Sequence, residues 1–319
     1  MKKIIKIFII SLGCLLIIGI TAVSLMVGIT MFNNTMQLVD NESTNNEKMY
    51  SYLEEVGFDL EEFTSNYNIE AIYIQSSTGD HLIPADYISQ DGDMSKDTVI
   101  LVHGLGGNRL SVYPVAAVFL KNGYNVLAYD QRSSGENKAP YTTFGYLESR
   151  DLNDCVAYLK SLNENIKIGL WGTSFGAATV GIFLGTETAN ENISFAVLDS
   201  PLSNMTYMVE NELKNMEIGI PASYMLLTGS IVTKIKLGFS YKDTDVCRHT
   251  VRTNVPVLII NSYADTLTPH FMSVDIYNSI PHNKKYLFTV DDSRHAEILF
   301  DYPEEYEWNI LSFIEQYNL

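Results

Sequence analysis

The pentapeptide Gly172-Thr173-Ser174-Phe175-Gly176 lies between an apolar run, residues 166–171, and a segment of small residues, 177–181. A strand, a sharp turn and a helix in this order place one serine at the apex of the turn. Glycines two residues to either side allow the neighbouring backbone to approach closely. The pentapeptide therefore predicts a strand–turn–helix unit in which the Ser174 hydroxyl stands clear of a sheet.

Apolar runs alternate with segments of helical periodicity along most of the chain, which predicts an α/β fold. Predicted strands lie at 98–102, 125–129, 166–171, 195–198, 257–261 and 285–290. Predicted helices lie at 110–121, 147–162, 175–185, 270–279 and 302–316, with a helical lead-in at 49–63. A predicted hairpin, 69–75 with 81–88, adds antiparallel strands at one edge. The expected architecture is a mostly parallel sheet of about eight strands with helices on both faces.

The segment 201–253 interrupts this alternation just before the penultimate strand, and it is much longer than an ordinary crossover. Two helices are predicted inside it, at 205–216 and 222–237, and the second is unusually apolar. We interpret the segment as a helical cap over the active site. The alternative is extra packing helices with no role at the site.

Catalytic residues in parallel sheets gather at the carboxyl ends of the strands. Ser174, Asp265 and His295 each follow a predicted strand closely, so we expect them to lie together. A serine hydroxyl needs a base to take its proton, and an imidazole needs an acid to fix its tautomer. Ser174 is therefore the predicted nucleophile, His295 the predicted base and Asp265 the predicted acid, with Asp199 as the rival acid.

Residues 103–107 follow the first buried strand with the sequence His-Gly-Leu-Gly-Gly. Their glycines would let backbone N–H groups approach a substrate, so we expect Leu105 and Phe175 to form an oxyanion hole through their backbone N–H groups. His103 is expected to shape this loop rather than act as an acid or base. After the next strand, Asp130 and Arg132 are expected to pair beneath the site.

The H-G-x-G-G loop, the G-x-S-x-G turn, the late aspartate and the final S-x-H-A at 293–296 occur in the order found in α/β-hydrolases. From about residue 60 onward the chain resembles that superfamily, and is similar to bacterial esterase-like members with one N-terminal membrane anchor. It departs at 261–265, where relatives often carry His-Gly before the acid. The resemblance implies a serine hydrolase that cleaves carboxylic esters through an acyl-enzyme. A peptidase or amidase with the same three residues, and a catalytically silent binding protein on the same fold, are the alternatives.

The apolar helix at 222–237 favours a small-molecule or lipid-like acyl ester as substrate. No cofactor or metal is implied, because no cluster of histidines and cysteines has the spacing of metal ligands. The chain of 319 residues has a formal net charge of −17, which argues against nucleic acid as a partner. Its hydrophobic content of 46% supports a large core rather than disorder.

Residues 8–32 are uncharged and mostly apolar, preceded by three lysines and followed by acidic residues. This pattern predicts a transmembrane signal anchor, with the N-terminus in the cytoplasm and the catalytic domain outside the cell membrane. A cleaved signal peptide and a lipoprotein signal at Cys14 are the alternatives. The expected organisation is an anchor at 1–36, a polar stalk at 37–48 and a hydrolase domain at 49–319 that includes the cap at 201–253.

Overall fold

A computed structural model describes residues 2–79, 81–216 and 219–317. Within them, eight strands form one sheet. They are β1 (Asn68–Gln75), β2 (Leu82–Ser89), β3 (Thr98–Val102), β4 (Asn125–Tyr129), β5 (Ile168–Thr173), β6 (Ile193–Asp199), β7 (Val257–Ser262) and β8 (Lys285–Val290). Strands β3, β4 and β7 are buried along their whole length, as their continuous apolar sequences require.

The strand order across the sheet is β1-β2-β4-β3-β5-β6-β7-β8. β1 pairs with β2 and β2 with β4 in antiparallel register, whereas all the remaining pairs are parallel. The prediction of a mostly parallel eight-stranded sheet with an antiparallel hairpin at one edge is confirmed. This arrangement brings the carboxyl ends of β3, β5, β7 and β8 to one edge.

Thirteen α-helices accompany the sheet in the described part of the chain. They are α1 (Lys2–Met36), α2 (Asn46–Glu55), α3 (Leu60–Asn66), α4 (Tyr113–Lys121), α5 (Glu148–Leu162), α6 (Phe175–Phe183), α7 (Glu187–Asn192), α8 (Met205–Asn215), α9 (Ala222–Leu237), α10 (Cys247–Thr250), α11 (His270–Ser279), α12 (Ile298–Asp301) and α13 (Pro303–Gln316). The cysteines Cys14, Cys155 and Cys247 are free thiols.

The prediction of one helical lead-in over 49–63 was wrong, because two separate helices, α2 and α3, occupy the region. The chain turns between them at Gly57, whose φ of +71° is one that glycine adopts without strain. Asp59 then starts α3, since its side chain accepts a hydrogen bond from the Glu62 N–H at 2.8 Å.

The chain divides into two compact units. The first combines the N-terminal segment up to Leu38 with Met205–Asp243, and so contains α1, α8 and α9. The second contains the whole sheet and the other helices. In this second unit, Asn41 and Thr44, from the segment predicted to be a stalk, hydrogen-bond to the loop at 135–137.

Helix α1 is the one helix among the described residues that is long and apolar enough to cross a membrane, over Lys3–Met36. A signal sequence has the same length and composition. Most of the apolar side chains of its N-terminal half are exposed, whereas Val27, Met31 and Phe32 are buried. The two halves of α1 therefore have different surroundings.

Candidate active site

Ser174 occupies the turn between β5 and α6 with a φ of +53°, a value that costs a non-glycine residue backbone energy. A Cβ on Gly176 would lie 2.1 Å from the Val102 carbonyl oxygen, and one on Gly172 would lie 2.6 Å from the carbonyl oxygen of Gly176. Both positions therefore need glycine, because backbone atoms cannot move aside as a flexible side chain can. The close packing holds the serine at the apex of a sharp turn.

The hydroxyl of Ser174 lies 2.8 Å from Nε2 of His295, and Nδ1 of the same imidazole lies 2.8 Å from Oδ2 of Asp265. Ionised Asp265 can only accept, so the neutral imidazole carries its proton on Nδ1 and its Nε2 is free to accept from the serine. The structure thus brings together three side chains that are distant in sequence: Ser174 precedes Asp265 by 91 residues, and Asp265 precedes His295 by 30.

Asp265 is buried at the turn that follows β7. Its Oδ1 accepts hydrogen bonds from the backbone N–H groups of Leu267 and Thr268, both at 2.9 Å, and its Oδ2 accepts one from the Thr268 hydroxyl at 2.8 Å. Burial acts to raise the pKa of Asp265, but the hydrogen bonds from His295 and Thr268 outweigh it and lower the pKa. The carboxyl group is therefore held ionised and fixed in orientation.

The loop after β3 passes close to the serine: a Cβ on Gly104 would lie 3.6 Å from the Ser174 Cβ. Buried His103 holds this loop, since its Nδ1–H donates to the Gly104 carbonyl at 2.8 Å and its Nε2 accepts from the Gln131 N–H at 2.9 Å. Burial lowers the pKa of His103 to about 4, so it stays neutral. Leu105 follows on this loop, next to the serine turn.

Phe175 is the first residue of α6, and the first N–H groups of a helix have no partner within the helix. They carry a partial positive charge that favours a nearby anion. The residues predicted for an oxyanion hole therefore lie on the two backbone segments that adjoin Ser174.

Asp199, the rival acid, ends β6 and has other partners than the imidazole. Its Oδ2 accepts from the Tyr306 hydroxyl at 2.7 Å and its Oδ1 from the Ser200 hydroxyl at 3.0 Å. The Tyr306 oxygen in turn accepts from the indole N–H of Trp171 at 2.8 Å. Burial raises the pKa of Asp199 to about 6, against the hydrogen bonds from Tyr306 and Ser200.

Comparisons with known proteins agree with this architecture. A family model described as the alpha/beta hydrolase fold matches residues 97–224. The Pyrococcus furiosus esterase Pf2001 superposes with a TM-score of 0.64 at 25% identity, over 81% of this chain and 96% of that one. The esterase EaEST from Exiguobacterium antarcticum gives a TM-score of 0.56 at 18% identity, over 77% of this chain and all of that one (100%).

This chain has the α/β-hydrolase fold. Among relatives compared by sequence, YqkD of Bacillus subtilis is 26% identical over 251 residues, which cover 78% of this chain and 79% of the relative. YfhR of Escherichia coli K12 is 25% identical over 248 residues, which cover 77% of this chain and 76% of the relative. The esterases of the same fold support a hydrolytic function.

A cavity of about 320 Å³ opens beside the serine turn of this hydrolase fold. Its lining includes Thr173, which precedes Ser174, and Gly104 and Leu105 of the loop after β3, and most of its other walls are apolar. Those walls come from Met49, Tyr52, Val112, Pro114, Val115, Trp171, Leu299, Phe300 and Tyr306, and Asp199 adds one carboxyl group. The fold therefore offers an apolar compartment beside the serine turn.

Met49 and Tyr52 belong to α2, which the sequence analysis treated only as a lead-in. Their alternation with acidic residues is the ordinary pattern of an amphipathic helix, so nothing in the sequence marked them as part of a pocket. Burial raises the pKa of Tyr52, and the nearby carboxylates Glu297 and Asp199 add to this effect. The tyrosine consequently lines the cavity as a neutral phenol.

The expected pair between Asp130 and Arg132 was wrong. Asp130 pairs instead with Arg109, whose backbone N–H also donates to its Oδ1 at 2.8 Å, and Arg132 lies 3.4 Å from Asp151. Arg109 also binds Asp86 at 2.8 Å. Two carboxylates buried side by side need a cation between them, and Arg109 reaches both from the 3₁₀ turn before α4.

Across the described ranges, no three or more His, Cys, Asp or Glu side chains are grouped in a way that could hold a metal ion.

Proposed function

We propose that this chain is a serine hydrolase that cleaves carboxylic esters through an acyl-enzyme on Ser174. The observation that carries the proposal is the continuous hydrogen-bond chain from Ser174 through His295 to Asp265, with both distances at 2.8 Å. A hydroxyl, a neutral imidazole and a carboxylate in this order are what activation of a serine requires.

In the first step, the Ser174 Oγ attacks the ester carbonyl carbon while His295 Nε2 takes the hydroxyl proton. The carbonyl oxygen becomes negatively charged and accepts hydrogen bonds from the Leu105 and Phe175 N–H groups. The C–O bond to the alcohol then breaks, and His295 returns the proton to the departing oxygen. Water attacks the acyl-enzyme by the same route, releasing the carboxylic acid and restoring the serine.

The cavity favours an apolar group on the substrate, because aliphatic and aromatic side chains form most of its walls. A net charge of −17 disfavours polyanionic substrates. Pf2001 and EaEST, both esterases, have the same fold and support an ester over an amide. A small-molecule or lipid-like acyl ester fits these observations best.

We also propose that α1 anchors the enzyme in the cell membrane. Lys2, Lys3 and Lys6 precede the apolar run and acidic residues follow it, so the positive-inside rule places the N-terminus in the cytoplasm. The catalytic unit then lies on the extracytoplasmic side.

The test is hydrolysis of p-nitrophenyl esters by the full-length chain in detergent micelles, together with labelling by a fluorophosphonate probe. Ser174→Ala should abolish both turnover and labelling, because no hydroxyl remains to be acylated. Ser161→Ala, at an exposed position near the end of α5, is the matched control and should retain both. Undiminished hydrolysis in Ser174→Ala would remove this serine from the mechanism.

A second measurement separates ester from amide cleavage. We expect the kcat/KM for an ester to exceed clearly the kcat/KM for an aminoacyl amide with the same acyl group. A preference for the amide would reassign the enzyme as a peptidase or amidase.

A further inference from the structure

Helix α9 packs along the C-terminal half of α1 in parallel orientation. Ser24 Oγ lies 2.6 Å from the Tyr224 hydroxyl at the beginning of the contact, and Thr35 Oγ1 lies 2.8 Å from the Tyr241 hydroxyl beyond its end. Between them, Lys236 Nζ lies 4.3 Å from the centre of the Phe32 ring. Position 24 of α1 is thus level with position 224 of α9, and both helices run in the same direction from there.

The two backbones meet at glycines. A Cβ on Gly28 would lie 2.7 Å from the Thr228 carbonyl oxygen, and one on Gly229 would lie 2.7 Å from the Met31 Cβ. With Ser24 four residues before Gly28, α1 presents the small-xxx-small pattern by which helices associate in lipid. The contact has no space for added atoms, so the two helices form a closely packed interface.

Hydroxyl groups on both helices bond back to the backbone of their own helix, one turn earlier. These bonds are Thr21 to Ile17 at 2.8 Å, Ser24 to Ile20 at 2.8 Å, Thr30 to Met26 at 3.0 Å, Thr228 to Tyr224 at 3.0 Å and Thr233 to Gly229 at 2.9 Å. Groups satisfied in this way can enter a lipid environment without a large desolvation cost.

The outer side of α9 carries an exposed apolar stripe. Leu227 is 60% exposed, Ile231 51% and Ile235 76%, at intervals of four residues that place them on one face. Met216, which follows α8, and Ile220, which precedes α9, are exposed as well. No charged residue occurs in α9 before Lys234, so its first three turns, Ala222–Thr233, are uncharged.

The register fixes the depth of this stripe. A bilayer core of about 30 Å takes about 20 helical residues. Counted from Ile7, the first residue after the last lysine of the N-terminal group, the core ends near Met26. Because Met26 is level with the first turns of α9, the apolar stripe begins where the hydrocarbon core meets the headgroup layer.

We propose that α9 is a second membrane-binding element, whose first three turns lie in the outer interfacial layer of the bilayer beside α1. Leu227 and Ile231 contact lipid, and Lys234 and Lys236 reach the level of the headgroups and beyond. The inference rests on the proposed anchoring by α1. It makes the anchor a rigid helix pair rather than a single span.

The test uses fluorophores attached to single cysteines in the full-length chain, reconstituted in phosphatidylcholine vesicles. Cys14 and Cys247 are replaced by alanine, and the buried Cys155 does not react. Spin-labelled lipids, with the nitroxide near the head of the acyl chain, should quench most of the fluorescence from Leu227→Cys and Ile231→Cys. Trp308→Cys, at a residue 66% exposed on α13, is the matched surface control and should keep its fluorescence.

Leu16→Cys, in the exposed half of α1 and near the middle of the core counted from Ile7, is measured with lipids that carry the nitroxide near the end of the acyl chain, and it distinguishes the two ways of failing. Quenching at position 16 without quenching at 227 and 231 would leave α1 as the anchor and overturn the role of α9. Quenching at none of the three positions would overturn the anchoring as well. If pyrene attached at position 227 shows excimer emission, which requires two labels in contact, without quenching by the lipids, the apolar stripe packs against a second copy of this chain. That result would also overturn the proposal.

Discussion

Tyr306 donates a 2.7 Å hydrogen bond to the Asp199 carboxylate while its oxygen accepts one from the Trp171 indole at 2.8 Å. All three side chains are buried and all three line the cavity beside the serine turn. They join the end of β6, strand β5 and helix α13, so one hydroxyl connects three separate elements around the cavity.

Tyr306→Phe should lower the free energy of unfolding by about 1–3 kcal/mol, because it leaves a buried indole N–H and a buried carboxylate each short of one partner. Urea denaturation of the wild type and the variant measures the change. Tyr286→Phe, whose ring on β8 is half exposed, is the matched control and should be neutral. Equal stability of Tyr306→Phe and wild type would mean that water replaces the hydroxyl at no cost.

Asp199 should also make stability depend on pH. Its pKa rises from 3.8 to about 6 on folding, so between those values the folded state holds the proton more tightly than the unfolded state. The unfolding free energy therefore falls as pH increases through this window, by at most about 3 kcal/mol. The difference in stability between wild type and Asp199→Asn should shrink or reverse between pH 4 and pH 7. Asp291→Asn, at an exposed position after β8, should leave the slope unchanged; the same slope in Asp199→Asn would contradict the assignment.

Asp265→Asn should reduce kcat for ester hydrolysis by about 10⁴-fold while the protein stays folded, because the amide no longer fixes the reactive tautomer of the imidazole. Steady-state kinetics with a p-nitrophenyl ester give the loss, and circular dichroism checks the fold. Asp275→Asn, exposed on α11, serves as the comparison and should be fully active. Activity retained in Asp265→Asn would return Asp199 to consideration as the acid.

Gly176→Ala should destabilise the protein by about 1–3 kcal/mol or more, since the added methyl group meets two backbone carbonyl oxygens, those of Val102 and His103. Ester hydrolysis should fall with it, because the same contact positions Ser174. Gly13→Ala, which meets nothing within 4 Å, is the matched substitution and should be tolerated. A stable and active Gly176→Ala variant would mean that the turn can widen.

The sheet could be predicted from sequence because strands buried on both faces are continuous apolar runs. β8 was predicted with the bounds that the structure has, Lys285–Val290, and β5 was displaced by two residues at both ends. The positions of Ser174, Asp265 and His295 then followed from one geometric rule, that the carboxyl ends of parallel strands share an edge. Their catalytic role remains a prediction.

The surroundings of the site could not be predicted, because they depend on contacts between distant segments. Nothing local in Met49 or Tyr52 indicates a cavity wall, and Asp130 gave no sign that its partner would be Arg109 rather than the nearer Arg132. The pairing of α1 with α9 could not be predicted for the same reason. An apolar helix sequence indicates that the helix will be covered, but it does not indicate which segment or solvent covers it.

The parallel contact of Gly28 with α9 also sets an order of events during synthesis. α1 ends at Met36 and α9 begins at Ala222. At a translation rate of about 5–20 residues per second, roughly 10–40 s separate the emergence of the two helices from the ribosome. During that interval the glycine-bearing side of the first helix has no partner from its own chain, so its contact with α9 can form only late in synthesis.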